Sequence, residues 1–300
     1  MTEPTGPFKR NAQGLPYLSP SQASTLLGCP ARWHFRNILK RPDPSSPQQA
    51  LGHAAHAGLE AWAKAILKGE KPSPAMAGDA ASANAIERCQ KEPGILSTKT
   101  GKQIYDSPEQ FAKFAAGHAI AATNWLLDRL NEGWSIEAVE AKMSRPIDVA
   151  GVGVILNEGR LDMLLRNPKG RRVIFDLKTA TKSPSSDGQG GFKQERRNTL
   201  QLAQYGSAMK ADDLLVLTSI KRKTAKDGST AFDIAPSTLS LTPELMRWAD
   251  RAFCMAARVI ERQDFDPNPI GAGFSCSPSG CNFFGECVGA QPGEAGGDDE

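Results

Sequence analysis

Two short segments carry charged residues inside stretches that otherwise have the pattern of β-strands. Asp162 lies in the run GRLDML, and Asp176 and Lys178 lie in the run VIFDLKT. The residues between them, 167–170 (NPKG), are typical of a turn. The two runs are therefore expected to form a hairpin that sets Asp162 within about one residue of the position opposite Asp176, where facing Cβ atoms are about 5 Å apart. Asp176 and Lys178, two apart on a strand, share a face.

Two carboxylates this close repel each other unless a cation lies between them. Carboxylate oxygens suit Mg²⁺ or Mn²⁺. A divalent ion beside a lysine is typical of phosphodiester cleavage, in which the ion activates water and the lysine stabilises the charge of the transition state. The alternative is a structural Asp–Lys–Asp ion network on an exposed sheet face. The apolar residues that lead into Asp176 favour a strand that ends in a cleft.

Two further pairs have the spacing of one helical turn. His56 follows Gly52 by four residues in an Ala-rich stretch, so the two share a helix face. An imidazole there is a candidate third ligand that suits Mn²⁺ better than Mg²⁺. The alternatives are a buried, hydrogen-bonded histidine, or His53 in the same role. Gln201 and Tyr205 could contact a phosphate or a nucleotide, or form a surface pair.

The chain has six cysteines, and three of them fall within twelve residues. Disulfides are not expected in a cytosolic chain of this size. The clustering of Cys276, Cys281 and Cys287 is typical of ligands to a metal ion or a metal cluster.

Composition restricts the class of protein. The chain has 300 residues, 40% hydrophobic and 23% charged, which is typical of a soluble globular protein with room for a sizeable core. No apolar run approaches the length of a membrane span, and the N-terminal residues lack a secretory signal, so a cytoplasmic protein is expected. The net charge is +3, but residues 4–42 and 182–226 are rich in Lys and Arg. These basic stretches favour a polyanionic partner, with a solvated surface as the alternative.

The order of predicted elements indicates an α+β or mixed α/β fold. Helices come first, with Ser-Pro-x-Gln start signals at Ser19 and Ser107. Strand patterns follow, then a helix, two more strands and a last helix that starts at Thr242. Residues 69–80 and 181–198 are expected to be loops.

The residues singled out above occur in the order of a known family. They resemble the RecB-like branch of the PD-(D/E)XK nucleases, and the cysteines are similar to those of its iron–sulfur members, the CRISPR-associated and helicase–nuclease exonucleases. The motifs that carry the resemblance are Gly-x-x-x-His (Gly52, His56), Gly-Arg-Leu-Asp (Asp162), Asp-x-Lys-Thr (Asp176, Lys178), Gln-x-x-x-Tyr (Gln201, Tyr205), an opening Leu-Ser-Pro-Ser-Gln with Cys29, and the three C-terminal cysteines. Two features depart from the family pattern: Leu161 stands where the family name has Pro, and the first cysteine gap is wide.

The resemblance implies a restriction-endonuclease-like αβββαβ core with added terminal helices. It implies that Lys178 is catalytic and that Gln201 and Tyr205 line the site. The implied Mg²⁺ or Mn²⁺ ligands are His56, Asp162, Asp176 and the carbonyl of Leu177. The implied ligands of a 4Fe–4S cluster, with Zn²⁺ as the alternative occupant, are Cys29, Cys276, Cys281 and Cys287.

The expected organisation is a disordered N-terminus (1–16), one nuclease domain (17–290) whose ends the cysteines join, and an acidic disordered tail (291–300). The expected function is a metal-dependent deoxyribonuclease, an exonuclease acting on single strands or DNA ends. A helicase, a recombination protein or a CRISPR adaptation protein is the expected type of protein partner. The alternative function is a DNA-end-binding module without catalysis, with a structural metal centre.

Overall fold

A mixed sheet of seven strands forms the centre of this computed structural model, with helices packed on both of its faces. No helix in the described residues is long and apolar enough to cross a membrane. The structure describes residues 5–98, 101–180, 196–223, 225, 230–268, 276–277 and 281–288.

The strands follow the hydrogen-bonded order β1-β2-β4-β5-β6-β7, and β3 pairs with β4 along almost its whole length. The β2–β4 and β5–β6 pairs are parallel and the other pairs are antiparallel. The strands are β1 (Lys9–Arg10), β2 (Pro16–Leu18), β3 (Ser135–Val149), β4 (Gly153–Arg166), β5 (Arg172–Ala180), β6 (Asp213–Lys221) and β7 (Phe232–Ser240).

Helices precede, interrupt and follow the sheet, and the chain order helix–β3–β4–β5–helix–β6 confirms the expected αβββαβ core. The helices are α1 (Pro20–Gly28), α2 (Pro30–Asn37), α3 (Pro47–Leu67), α4 (Pro74–Lys91), α5 (Pro108–Asn131), α6 (Arg196–Met209), α7 (Pro243–Arg262) and α8 (Phe284–Val288).

Four of these helices begin with a hydroxyl cap followed by a proline. The capping oxygen accepts a hydrogen bond from the backbone N–H three residues later, and the proline fits the first helical position because that position needs no donor. The caps are Ser19, Ser46, Ser107 and Thr242.

The sheet separates two hydrophobic cores, and β5 contributes to both because its side chains alternate between the faces. Phe175 and Leu177 pack with α3, α4 and α5 on one face. Ile174 packs with α6 on the other. A third core lies under α7, where Phe253 packs with Ile155 of β4. The strands that carry the candidate residues are thus fixed on both sides.

Part of the predicted loop 69–80 is helical, since α4 begins at Pro74. Small residues allow α3, α4 and α5 to pack closely. An added Cβ at Gly58 would lie 2.3 Å from the carbonyl oxygen of Ala77, and one at Gly78 would lie 2.7 Å from Cδ1 of Ile120. This tertiary packing stabilises a helix whose local sequence, rich in Pro and Gly, resembles a loop.

The segment before β2 follows a defined course from residue 5, although composition predicts disorder up to residue 16. The backbone N–H groups of Thr5 and Gly6 donate to the carboxylate of Glu261 on α7 at 3.1 and 2.8 Å. β1 then pairs with β2. The predicted acidic tail (291–300) and most of the predicted loop 181–198 lie outside the described residues.

Candidate active site

β4 and β5 form the predicted hairpin, closed by a turn in which Gly170 has a φ of 77°. The hairpin register pairs Met163 with Phe175, and one further residue along each strand brings Asp162 opposite Asp176. The ladder between the two strands ends at Met163, while β4 stays paired with β3 and β5 stays paired with β6. The two carboxylates therefore stand where the hairpin opens.

Helix α3 brings His56 to the same point. The Nε2 atom of His56 lies 2.6 Å from the carbonyl oxygen of Leu177, and its Nδ1 atom lies 3.0 Å from Oδ2 of Asp162. The imidazole thus bridges the two strands at the open end of the hairpin, in contact with two of its predicted co-ligands.

Gly52 on α3 faces β5 one turn before His56. An added Cβ at Gly52 would lie 3.4 Å from Oγ1 of Thr179, which is at the limit of ordinary van der Waals contact. His53, the competing histidine, is on the exposed side of the helix. The structure therefore brings His56 to the carboxylates, as the sequence favoured.

Lys178 pairs with the second carboxylate. Its Nζ lies 3.1 Å from Oδ1 and 2.9 Å from Oδ2 of Asp176. Asp176 is 6% exposed, whereas the side chain of Lys178 is 34% exposed. The ammonium therefore lies between the buried carboxylate and the solvent from which a substrate would come.

The pKa values of His56, Asp162 and Asp176 are all shifted, and those of the two carboxyl groups are shifted in opposite directions. Burial would lower the pKa of His56, but contact with the charged Asp162 outweighs burial and raises it. Burial would raise the pKa of Asp162, but the same contact, assisted by Lys178, lowers it. Burial raises the pKa of Asp176 despite Lys178. Contact with His56 therefore stabilises the charged form of Asp162. Burial disfavours the charged form of Asp176, which an additional cation would stabilise.

Gln201 and Tyr205 face the hairpin from α6. The amide Nε2 of Gln201 donates to the hydroxyl of Tyr205 at 3.2 Å. Gly159 on β4 allows this approach, since an added Cβ there would lie 2.8 Å from Cε1 of Tyr205. Burial, together with the charges of the two aspartates, raises the pKa of Tyr205 to about 12. The tyrosine is therefore a neutral hydroxyl close to the carboxylates.

The donor types at the open end of the hairpin fit a divalent metal ion. Oδ2 of Asp162 and Oδ2 of Asp176 are buried and make no hydrogen bond of normal geometry, although each lies within 3.0 Å of a basic partner. With the imidazole of His56 and the carbonyl of Leu177 they offer one nitrogen and three oxygens, a set that suits Mn²⁺ or Mg²⁺.

The same donors are also in contact with one another. Within the described ranges, no group of three or more His, Cys, Asp or Glu side chains stands ready to hold a metal ion. His56 touches both Asp162 and Leu177 directly, so an ion between these groups requires the imidazole to move away from the carboxylate.

The four predicted cluster cysteines are all described. Cys29 joins α1 to α2: it is the C-cap residue of α1 and the N-cap residue of α2. Burial raises the pKa of the Cys287 thiol, and the other three thiols, those of Cys29, Cys281 and Cys276, raise it further. These three thiols are therefore within electrostatic reach of Cys287, although the four cysteines do not form a group with metal-binding spacing among the described residues.

Other contacts also join the C-terminal segment to the region of α2. Phe283 stacks on Phe35 with 5.2 Å between ring centroids. The side chain of Asn282 donates to the carbonyl oxygen of Pro44 at 3.2 Å. Arg41 and Glu286 form an ion pair of 3.2 Å.

Glu140 also lies at this point, although no sequence motif indicates it. The pairs Val139–Met163 and Ala141–Leu161 place it across β3 and β4 from Asp162. Its φ of 52° is unusual for a residue with a side chain. Burial raises its pKa, and the charges of Glu60 and Asp162 raise it further. Counting outward from a turn centred on Gly151 would have paired positions 140 and 162 in advance.

The model of one protein family matches residues 17–287 of this chain, which is most of its length. That family is the PD-(D/E)XK nuclease superfamily. This chain belongs to it. The matched range includes both the β4–β5 hairpin and the four predicted cluster cysteines.

Solved structures similar to this superfamily member share little sequence with it. A phage-related exonuclease from Haemophilus somnus 129PT has 12% identity, a TM-score of 0.34, and coverage of 82% of this chain and 94% of its own. The protein SSO0001 has 14% identity, a TM-score of 0.31, and coverage of 79% and 86%. LHK-Exo, solved in complex with dAMP, has 11% identity, a TM-score of 0.29, and coverage of 71% and 92%. No curated protein matches the chain in sequence.

Proposed function

We propose that the protein is a divalent-metal-dependent deoxyribonuclease that acts as an exonuclease on single-stranded DNA or DNA ends. The observation that carries this proposal is the convergence of Asp162, Asp176, Lys178 and His56 where the β4–β5 hairpin opens. Membership of a nuclease superfamily supports the same chemistry.

In this proposal Asp162, Asp176, His56 and the carbonyl of Leu177 hold Mg²⁺ or Mn²⁺. When bound, the ion supplies an activated water and neutralises charge on the phosphate. Asp176 is suited to this role because burial disfavours its charged form until a cation is present.

Lys178 and Tyr205 act on the substrate side of the same point. Lys178, partly exposed beside Asp176, orients the attacking water or stabilises negative charge that develops on the phosphorus oxygens. Tyr205 keeps its proton at neutral pH and can donate a hydrogen bond to a phosphate oxygen. Gln201, already bonded to Tyr205, fixes the position of that hydroxyl.

The test is degradation of end-labelled DNA by the full chain with Mg²⁺ or Mn²⁺, and with EDTA as the metal-free control. Linear single-stranded, linear double-stranded and circular DNA are compared, with RNA as a fourth substrate. We expect metal-dependent loss of label from linear DNA and intact circles. Cleavage of circles would replace the exonuclease with an endonuclease, and no cleavage of any substrate with either metal would contradict the proposal.

We also propose that Cys29, Cys276, Cys281 and Cys287 hold a 4Fe–4S cluster. Four thiolates suit such a cluster, and the effect of Cys29, Cys281 and Cys276 on the pKa of Cys287 supports their proximity to that thiol. Anaerobically purified protein should then contain about four irons per chain and absorb broadly in the visible range. Stoichiometric zinc without iron would replace the cluster with a structural zinc site, which four thiolates also suit.

We further propose a cytoplasmic protein, as the sequence indicates, with a role in recombination, repair, or phage or CRISPR DNA processing, as the family resemblance suggests. A helicase, a recombination protein or a CRISPR adaptation protein would then deliver the DNA. Co-purification with the tagged full chain would identify this partner.

A further inference from the structure

Two cations face each other across β3 and β4, close to the candidate active site. The register pairs Lys142 with Arg160. Side chains of directly opposite residues in an antiparallel pair project to the same side of the sheet. Both side chains are exposed, that of Arg160 to 57%. The pair therefore presents two positive charges side by side on the surface.

Like charges opposite each other weaken a sheet, and this pair is only partly neutralised. Arg160 forms an ion pair of 3.3 Å with Glu140. Lys142 forms no ion pair with any residue that the structure describes. Lys142 therefore keeps a charge that no described ion pair neutralises, although Glu158, opposite Ser144 at the next position on the same face, lies beside the pair.

The pair is connected to the catalytic carboxylates through Glu140. Arg160 precedes Asp162 by two residues on β4, a strand repeat of about 7 Å. Its partner Glu140 stands across the strands from Asp162, close enough for the charge of Asp162 to act on it. The two cations therefore border the point where the hairpin opens.

We propose that Lys142 and Arg160 bind backbone phosphates of the DNA strand that enters this site. This inference rests on the proposed function and extends it by naming the surface that holds the substrate strand. Arg offers a planar fork of donors that fits a phosphate, and Lys adds a point charge beside it. Glu140 keeps the guanidinium oriented until a phosphate competes for it.

A backbone contact of this kind raises affinity without reading sequence. It also fixes the register of the strand, because two neighbouring phosphates held beside Asp162 determine which phosphodiester reaches the carboxylates. The shared chemistry of DNA and RNA backbones means that the pair itself selects a polyanionic strand and not a particular base.

The experiment measures binding without cleavage. Fluorescence anisotropy of a labelled single-stranded DNA, in EDTA, gives the affinity of wild-type protein and of the double variant Lys142→Ala/Arg160→Ala over a range of salt concentrations. We expect about tenfold weaker binding, and a slope of log affinity against log salt that is smaller by about 1.5, since each lost phosphate contact removes about 0.7 to 0.9.

The matched control is Arg166→Ala/Lys169→Ala, which removes the same charge from the other end of β4 and the turn that follows it. Arg166 pairs with Glu137 of β3 as Arg160 pairs with Glu140, but it lies at the turn end, away from Asp162. We expect this control to bind DNA within about twofold of wild type, because salt at moderate concentration screens the interaction between DNA and charges that do not contact it.

Three results would overturn the inference or its basis. Wild-type affinity in the Lys142/Arg160 variant, or an equal loss in both double variants, would contradict the phosphate contact while leaving the nuclease intact. Wild-type protein that neither binds nor cuts DNA would remove the proposed function, and this inference with it.

Discussion

The β4–β5 hairpin and the cysteine region bring functional groups together in different ways. In the hairpin, one turn and its register place Asp162 opposite Asp176, fourteen positions apart along the chain. In the cysteine region, Asn282 contacts Pro44 across a separation of 238 residues. The two carboxylates are therefore brought together by a local turn with a small entropic cost of closure, although His56 reaches them from α3. The chain ends, in contrast, must find each other over almost the whole molecule.

The interactions that hold the two regions also differ in strength. The hairpin is enclosed by buried Phe175 and Leu177 on one face and Ile174 on the other. The C-terminal cysteine segment packs through the buried ring of Phe283 and an exposed ion pair between Arg41 and Glu286, and such a pair contributes less than about 1 kcal/mol. A metal centre would supply the stability that these contacts lack.

The largest expected effect concerns the hairpin. Asp176→Asn should lower the cleavage rate by at least about 10³-fold, because a neutral amide cannot replace a carboxylate that holds the ion. Single-turnover degradation of labelled DNA, measured beside the melting temperature, checks this. Asp148→Asn, an exposed carboxylate at the far end of β3, is the control and should cut normally. A folded Asp176→Asn protein with wild-type activity would disprove the assignment.

Lys178→Ala should lower the cleavage rate by about 10² to 10³-fold, the usual cost of one charge-stabilising group. DNA affinity should change little, since a residue that acts in the transition state affects rate more than binding. Gel-shift affinity and cleavage rate are measured on the same preparation. If affinity falls in step with the rate, Lys178 is a phosphate anchor.

Cys281→Ala should show whether the cysteine region contributes to stability without contributing to cleavage. We expect the melting temperature to fall by about 6 °C or more, which corresponds to about 3 kcal/mol in a chain of this size. Cleavage per folded molecule should persist, because no cysteine belongs to the hairpin. Cys89→Ala, which alters a buried thiol packed among other core residues, is the control that should retain the metal. An unchanged melting temperature with lost activity would instead give the centre a part in the reaction.

A smaller effect of pH on the free energy of unfolding should come from β6, the strand that pairs with β5 of the hairpin. His118 on α5 bonds to Ser219 of β6 at 2.8 Å, and burial, with Lys221 nearby, lowers its pKa to about 4. The unfolded chain binds this proton below about pH 6.5, whereas the folded protein does so only near pH 4. The stabilisation that comes from burying a neutral imidazole is therefore fully present above pH 6.5. It decreases as the pH falls, and at pH 5 the free energy of unfolding should be lower by about 2 kcal/mol.

Urea unfolding at pH 7.5 and at pH 5 checks this for wild type and for His118→Gln. The variant should be less stable at pH 7.5 and should lose less stability between the two pH values. An identical pH dependence in both proteins would show that His118 does not report on this part of the core.

Much of the hairpin could be predicted because its signals are local. The turn at residues 167–170 fixed the pairing of Asp162 with Asp176, and the caps at Ser19, Ser107 and Thr242 marked three helix starts. α4 was partly missed because close packing against α3 and α5, and not its own sequence, stabilises it. Glu140 was missed because its place depends on the β3–β4 register, which only the turn at Gly151 indicates. Its left-handed backbone, unlike that of a glycine, is not indicated by the residue type.

The most direct measurement is Mn²⁺ binding by the folded protein without DNA, followed by calorimetry or by electron paramagnetic resonance. We expect wild type to bind Mn²⁺ at the hairpin, Asp176→Asn to lose this binding, and folded Cys281→Ala to keep it. Equal Mn²⁺ binding by wild type and Asp176→Asn would contradict the central claim that the open end of the β4–β5 hairpin is a divalent metal site.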